Sequence, residues 1–170
     1  MSAKWGYIMI NVLFVCMGNI CRSPMAEAVF AKMVKEAGLE SMIAVDSAGT
    51  SGWHEGEAAH AGTLRVLTAN GIPYNGRSRQ IAWSDFEAFD YIVCMDRENL
   101  QALKRVVNSL GNRNTNPQLL LFLQHAKAAG LVNTDEVSDP YLHGRFEDTY
   151  ALVTLGARAL LAAIREEHHL

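Results

Sequence analysis

Residues 12–24 read VLFVCMGNICRSP, and this stretch decides the fold. The apolar run at residues 12–15 is short and continuous, which is typical of a strand buried on both faces. Ser23 and Pro24 predict the beginning of a helix, because a proline at the first helical position lacks an N–H that would have no partner there. The residues in between therefore form a loop that joins a buried strand to the amino end of a helix.

The same alternation of strand and helix patterns continues along the chain. Further strands are predicted at residues 43–45, 91–95 and 119–123, and the last of these runs is also compatible with a helix. Apolar residues at helical spacing predict four helices, which carry residues 26–33, 64–67, 100–110 and 146–164. This order predicts a single α/β domain over residues 1–170, built as a three-layer α/β/α sandwich around a four-stranded parallel sheet.

Three polar or reactive residues, Cys16, Ser47 and Asp96, each follow a predicted strand. Ligands of parallel α/β sheets bind outside the carboxyl ends of the strands, so we expect these three side chains to share one edge of the sheet. Asp96 is also placed to cap the helix that follows it.

Composition narrows the class of protein. A net charge of −3 over 170 residues argues against a nucleic-acid partner. No apolar run approaches the roughly 20 residues of a membrane-spanning helix, and residues 4–10 resemble a targeting signal only faintly. The three cysteines, Cys16, Cys21 and Cys94, form neither a disulfide framework nor a zinc pattern, and the histidines show no ligand spacing. We therefore expect a cytoplasmic protein with reduced thiols, no metal and no cofactor.

The loop after the first strand has the features of an anion-binding site. Such a loop can turn successive backbone N–H groups inward, and the helix behind it adds positive potential. Glycine and asparagine permit the positive φ angles that this requires. The residues expected to surround a bound phosphate are Met17, Gly18, Asn19, Ile20, Cys21 and Ser23.

Cys16 is the predicted nucleophile, because the field that binds a phosphate also stabilises a thiolate. Arg22 can place a planar guanidinium fork against two phosphoryl oxygens, and Ser23 can donate its hydroxyl to the sulfur. The alternatives are an inert buried cysteine and a surface arginine. The helix dipole disfavours that surface arginine at a helix start.

These residues resemble a known family. Residues 16–24 are similar to the signature loop of the low-molecular-weight protein tyrosine phosphatases. The resemblance extends, in the family's order, to residues 46–50, 79–81, 95–96 and 139–141. It implies a phosphatase that hydrolyses phosphotyrosine in protein substrates through a phosphocysteine intermediate and that binds inorganic phosphate or similar oxyanions.

The resemblance also assigns roles to residues outside the loop. It makes Asp139 the general acid that protonates the leaving oxygen, with Pro140 stiffening its loop. A plain turn at Asp139-Pro140 is the alternative, and Asp96 is the rival acid, although the family gives it a supporting role. It further implies that Asn19 and Ser47 hold the loop's shape.

One position departs from the family pattern. Many relatives have a histidine where this chain has Gly76, so part of the network that supports the loop is expected to be missing. Water or a neighbour such as Arg77 is a possible substitute.

Three further residues bear on the substrate. The resemblance implies that Trp53 and Tyr141 form aromatic walls suited to a phenyl phosphate, although Trp53 is also compatible with ordinary packing. Phosphoarginine phosphatases of the same family tend to carry threonine where this chain has Ile20. The apolar side chain therefore favours tyrosine over a guanidinium.

Two other activities remain as alternatives. An arsenate reductase on the same scaffold needs relay thiols downstream, and only Cys94 lies there, inside a predicted strand. A phosphotyrosine-binding module without turnover would have no need for nucleophile, arginine and acid together. Cys21 is either a small buried residue or a partner for a reversible disulfide with oxidised Cys16.

Overall fold

A computed structural model describes residues 8–111 and 117–170, and a parallel sheet lies at its centre. Its strands are β1 (Ile10–Cys16), β2 (Ile43–Gly49), β3 (Tyr91–Cys94) and β4 (Gln118–Leu121). They lie in the order β2-β1-β3-β4, so the strand that precedes the predicted loop is an interior one. All neighbouring strands are parallel, which confirms the predicted sheet and makes the helical alternative for residues 119–123 wrong.

The helices within the described residues include the four that were predicted. They are α1 (Arg22–Glu36), α2 (Ala61–Ala69), α3 (Asp85–Ala88), α4 (Arg97–Ser109), α5 (Gln124–Ala128), α6 (Pro140–His143) and α7 (Phe146–His168). Sequence patterns missed α3, α5 and α6. These helices have only four or five residues, which is too short to show a periodic apolar stripe.

Alternate side chains of β1 point into two separate cores, which is why its apolar run is continuous. Val12 and Phe14 pack with α1 and α7, and the ring of Phe14 lies edge-on to Phe30 with 5.3 Å between centroids. Leu13 and Val15 pack on the opposite face with α3 and α4. Helices therefore cover both faces of the sheet, and the predicted three-layer sandwich is confirmed.

Helix boundaries near the site follow the predicted local chemistry. Gly38, with a φ of +70°, follows the carboxyl end of α1 in the left-handed conformation that ends many helices. Asp96 caps α4 by accepting a hydrogen bond from the backbone N–H of Asn99, whose side chain bonds back to Asp96.

The position of Ser47 differs from the prediction. The sequence predicts that the strand ends at Val45, but β2 continues to Gly49, so Ser47 lies within the strand and not after it. The reason is that the backbone of β1 still offers partners there, and the ladder runs as far as the pairing of Cys16 with Gly49. The carboxyl edge of the sheet therefore holds Cys16 and Asp96, with Ser47 two residues inside it.

The sequence pattern that faintly resembles a targeting signal lies at the amino end of the chain. Most of the signal-like pattern at residues 4–10 falls in residues 1–7, which lie outside the described residues. Across residues 8–111 and 117–170, no helix combines the length and apolar character needed to cross a bilayer.

Candidate active site

The loop between β1 and α1 forms the floor of a pocket of about 400 Å³. Most of the predicted site residues line this pocket: Cys16, Met17, Gly18, Ile20, Cys21, Arg22, Trp53, Asp139 and Tyr141. Sequence patterns did not reveal two further lining residues, Ser51 and His54. They come from the segment after β2, and only the tertiary fold brings that segment to the loop.

Cys16 is the last residue of β1, and its side chain is almost fully buried. The backbone N–H of Asn19 points at its sulfur over 3.2 Å, and the hydroxyl of Ser23 lies 3.1 Å from it. A backbone N–H and a hydroxyl therefore contact the sulfur, and both can donate a hydrogen bond to it.

Asn19 organises the buried side of the loop. It has a φ of +55°, as the sequence anticipated for a tight loop. Its side-chain amide donates to Ser23 over 2.8 Å and to Ser47 over 2.9 Å, and its carbonyl accepts from the backbone N–H of Arg79 over 3.0 Å. Because Ser23 accepts from Asn19, its own proton is available to the sulfur of Cys16.

The hydroxyl of Ser47 has a partner that sequence reasoning missed. It donates to the carboxylate of Glu27 over 2.6 Å, and the phenol of Tyr74 donates to the same oxygen over 2.7 Å. Burial raises the pKa of Glu27, and the hydrogen bonds from Ser47 and Tyr74 oppose that rise.

The expected gap in the network at Gly76 is filled, although not by Arg77. A β-carbon built on Gly76 would overlap the phenol of Tyr74, so the glycine leaves the room that this ring occupies. Arg77 pairs instead through its backbone with Ala58. The substitute was invisible in the sequence because nothing local connects Tyr74 to α1.

Arg22, at the start of α1, is 96% buried beneath the pocket, since only 4% of it is exposed. One of its terminal nitrogens donates to Asp96 over 2.7 Å and to the backbone carbonyl of Val137 over 2.8 Å. Its Nε is buried without a hydrogen-bond partner among the residues that the structure describes. Burial alone would lower the pKa of Arg22, but Cys16, Asp96 and Asp139 raise it above its usual value, so the guanidinium remains charged.

Two carboxylates approach this guanidinium, and their geometry differs. Asp96 uses one oxygen for Arg22 and the other for the cap of α4. Asp139 lies on the pocket wall with one oxygen 3.7 Å from Arg22, while the other accepts from the backbone N–H of Tyr141 at the start of α6. Only Asp139 lines the pocket, which favours it over Asp96 as the candidate acid.

Aromatic side chains stand at the mouth of the pocket. Trp53 is 86% exposed and Tyr141 is 60% exposed, although both line the pocket. Tyr141 rests edge-on against His60, which in turn stacks on Phe146 at 4.9 Å between ring centroids. Trp53 is therefore not a core residue, and its role as a wall for the ligand stays a prediction.

Comparison with known proteins agrees with this geometry. Residues 11–170 match the family model described as low molecular weight phosphotyrosine protein phosphatase. The chain belongs to this family.

Individual relatives support the same assignment. The low molecular weight protein-tyrosine-phosphatase YfkJ of Bacillus subtilis is 43% identical over 165 residues, which cover 95% of this chain and 100% of the relative. The crystal structure of YfkJ has a TM-score of 0.84 at 42% identity, covering 94% of this chain and 97% of that one. The crystal structure of DARP, a Drosophila arginine phosphatase, has a TM-score of 0.82 at 33% identity, covering 92% and 98% of the two chains.

The remaining thiols of this low molecular weight phosphatase are buried and free. Burial, followed by the nearby Asp139 and Cys16, raises the pKa of Cys21 to about 12. Burial also raises the pKa of Cys94 to about 12, inside β3. Within the described residues all three cysteines are unbridged, and no group of three His, Cys, Asp or Glu side chains could hold a metal ion.

Proposed function

We propose that this chain hydrolyses phosphotyrosine monoesters in proteins through a phosphocysteine intermediate. The observation that carries the proposal is the position of the Cys16 sulfur at the base of a pocket, beside the buried guanidinium of Arg22 and the carboxylate of Asp139. These three groups are a nucleophile, a cation for the phosphoryl oxygens and a proton donor for the leaving group.

In the first half of the reaction, the Cys16 thiolate attacks phosphorus and forms the S–P bond. The bond from phosphorus to the tyrosyl oxygen breaks, and Asp139 gives its proton to that oxygen, so that a neutral phenol leaves. Ser23 donates to the sulfur, which makes the thiolate a better leaving group in the next step.

In the second half, water attacks the phosphorus of phosphocysteine. The carboxylate of Asp139 takes the proton from that water, and the S–P bond breaks. The products are inorganic phosphate and the Cys16 thiolate, and Asp139 is again protonated for the next cycle.

Oxyanion binding is part of the same proposal. We expect the unpartnered Nε of Arg22, a second guanidinium nitrogen and backbone N–H groups of residues 17–22 to hold the phosphoryl oxygens. A buried donor without a partner is costly to a protein, so its presence at the pocket floor supports a bound acceptor. Inorganic phosphate, the product, should therefore inhibit competitively.

The site favours phosphotyrosine over phosphoarginine, and it favours hydrolysis of a phosphate ester over reduction of arsenate. The apolar side chain of Ile20 and the open rings of Trp53 and Tyr141 suit a phenyl group better than a guanidinium. An arsenate reductase would need accessible relay thiols, and Cys94 is fully buried within β3. We further propose that residues 1–170 act as one catalytic domain in the cytoplasm, where the thiol of Cys16 stays reduced.

The test compares Cys16→Ser with the matched control Cys94→Ala. We expect Cys16→Ser to abolish p-nitrophenyl phosphate hydrolysis while retaining oxyanion binding, and Cys94→Ala to keep most of the activity. Activity across phosphotyrosine, phosphoserine and phosphoarginine peptides then defines the substrate. Full activity in Cys16→Ser, preference for phosphoarginine, or arsenate reduction supported by thioredoxin would each contradict the proposal.

A further inference from the structure

We propose that Tyr74 is a positioning residue for Cys16, acting through the carboxylate of Glu27. The inference rests on the proposed function, because it concerns how the nucleophile is held. Tyr74 does not line the active-site pocket, and it sits 58 positions along the chain from Cys16. Its effect has to pass through the buried side of the loop.

The hydrogen bonds on this side run outward from the amide of Asn19, toward Glu27 in one direction and toward Cys16 in the other. Glu27 accepts from Ser47 over 2.6 Å, Ser47 accepts from Asn19 over 2.9 Å, and Asn19 donates its other amide proton to Ser23 over 2.8 Å. That leaves the hydroxyl proton of Ser23 for the sulfur of Cys16 at 3.1 Å. If Glu27 turned away, Ser47 would be free to donate elsewhere and Asn19 would lose its fixed orientation.

Tyr74 fixes the far end of this path. Its phenol donates to the same Glu27 oxygen that Ser47 uses, over 2.7 Å. Burial, followed by the adjacent Glu27, raises the pKa of Tyr74, so the phenol remains a proton donor. Two hydrogen bonds to the same oxygen hold that oxygen of Glu27 in place.

The space that the phenol of Tyr74 occupies depends on the absence of a side chain at Gly76. A β-carbon at Gly76 would overlap the hydroxyl of Tyr74, so this glycine and this tyrosine fit only as a pair. The phenol therefore reaches Glu27 because its neighbour two positions on has no side chain.

No charged side chain among the described residues hydrogen-bonds Glu27, so Tyr74 is the residue that fixes this end of the path. Asp46 raises the pKa of Glu27 and Arg79 lowers it, but Arg79 is already paired with Asp46 and Asp85. Tyr74 and Ser47 are the side chains that hydrogen-bond the Glu27 carboxylate within the described residues.

The principal experiment compares Tyr74→Phe with Tyr91→Phe. Tyr91 is a matched control because its phenol also donates to a carboxylate, that of Glu167, over 2.6 Å, but at the amino end of β3, away from Cys16. We expect kcat to fall about five- to tenfold in Tyr74→Phe with KM within about twofold of the parent, and Tyr91→Phe to keep the parental kcat.

A pH profile separates positioning from general stability. The hydrogen bond from Tyr74 lowers the pKa of Glu27, so its loss lets Glu27 take up a proton at higher pH. In Tyr74→Phe, the acid limb of kcat and of Cys16 alkylation by iodoacetamide should both move to higher pH. Alkylation needs no turnover, so it still tests the inference if the wild-type chain hydrolyses no phosphomonoester and the proposed function fails.

A second variant covers the case in which Tyr74→Phe folds poorly. Gly76→Ala should displace the phenol and reproduce the alkylation shift, whereas Gly76→Ala in a Tyr74→Ala background should have little further effect, because no ring remains to displace. Equal kcat and alkylation profiles in Tyr74→Phe and Tyr91→Phe, or an additive effect of Gly76→Ala, would overturn the inference.

Discussion

The two sides of the loop between β1 and α1 differ in how fully their polar groups are paired. On the buried side, the amide of Asn19 uses both of its protons and its oxygen, and Ser47 both donates and accepts. On the pocket side, Arg22 Nε has no partner within the described residues, and Asp139 approaches Arg22 only to 3.7 Å. Under the proposed function, the groups that bind the phosphoryl oxygens are the ones left unpaired, whereas the groups that hold the loop are saturated. A donor that already has a partner would have to break that hydrogen bond before it could bind a ligand.

Among the substitutions that test this comparison, Arg22→Lys should have the largest effect. It removes the unpaired donor on the pocket side but keeps the positive charge. Lysine lacks the Nε donor and the fork that meets two oxygens, so kcat/KM for phenyl phosphates should fall roughly 1,000-fold. Arg65→Lys, at an exposed ion pair with Glu147, is the matched control and should be neutral. A loss of less than about tenfold would mean that the unpaired nitrogen of Arg22 is not a ligand for phosphate.

Asp139→Asn should have the next largest effect. It should lower kcat roughly 100-fold for phenyl phosphates whose leaving phenol is a weak acid. The loss should shrink as the leaving phenol becomes more acidic, because such a phenol needs no proton. Asp96→Asn should slow all leaving groups to the same extent, since both oxygens of Asp96 are committed to Arg22 and to the cap of α4. Rates over a series of substituted phenyl phosphates make the comparison, and equal slowing by Asp139→Asn would reassign the acid.

On the buried side, Ser47→Ala should have a smaller effect. It removes a donor to Glu27 and an acceptor from Asn19, which should lower kcat/KM about tenfold and the free energy of unfolding by about 1–2 kcal/mol. Steady-state kinetics and urea denaturation measure the two losses. An unchanged kcat/KM with a lowered free energy of unfolding would show that the buried side of the loop stabilises the fold but does not position Cys16.

The smallest effect concerns Cys21, whose pKa the fold raises from 9.0 to about 12. The unfolded thiol ionises near its ordinary value while the folded one stays protonated, so this contribution to stability is complete below pH 9.0 and is lost as the pH rises toward about 12. In Cys21→Ala, the urea midpoint should fall less steeply with pH above 9.0, and the remaining slope should include that of Cys94, whose pKa is also raised to about 12. Identical slopes in the parent and the variant would contradict the burial of this thiol.

The difference between the two sides also explains how much the sequence could predict. The floor of the pocket is one contiguous stretch, so a buried strand, Gly18, Asn19 and a Ser-Pro helix start were enough to locate Cys16 and Arg22. The buried side joins α1, β2 and the segment after α2, and the partnership of Glu27 with Tyr74 spans 47 positions. No local pattern encodes such a contact, because packing brings its members together.

Tertiary context decided other features as well. The extension of β2 through Ser47 depends on backbone partners in β1. The strand propensity of the residues themselves carries no information about such partners. His54 enters the pocket beside Gly18 only because the segment after β2 turns back over the loop. By contrast, the cap of α4 at Asp96 is a local interaction, and the sequence alone predicted it.

Direct detection of the phosphorylated sulfur tests the central claim most directly. Asp139→Ala should slow release of phosphate from the enzyme, so rapid quenching during turnover of p-nitrophenyl phosphate should trap the intermediate. Mass spectrometry of the digested protein is expected to find phosphate on Cys16 and none on Cys21 or Cys94. Phosphate on another residue, or its absence while p-nitrophenol is released in a burst, would contradict the account.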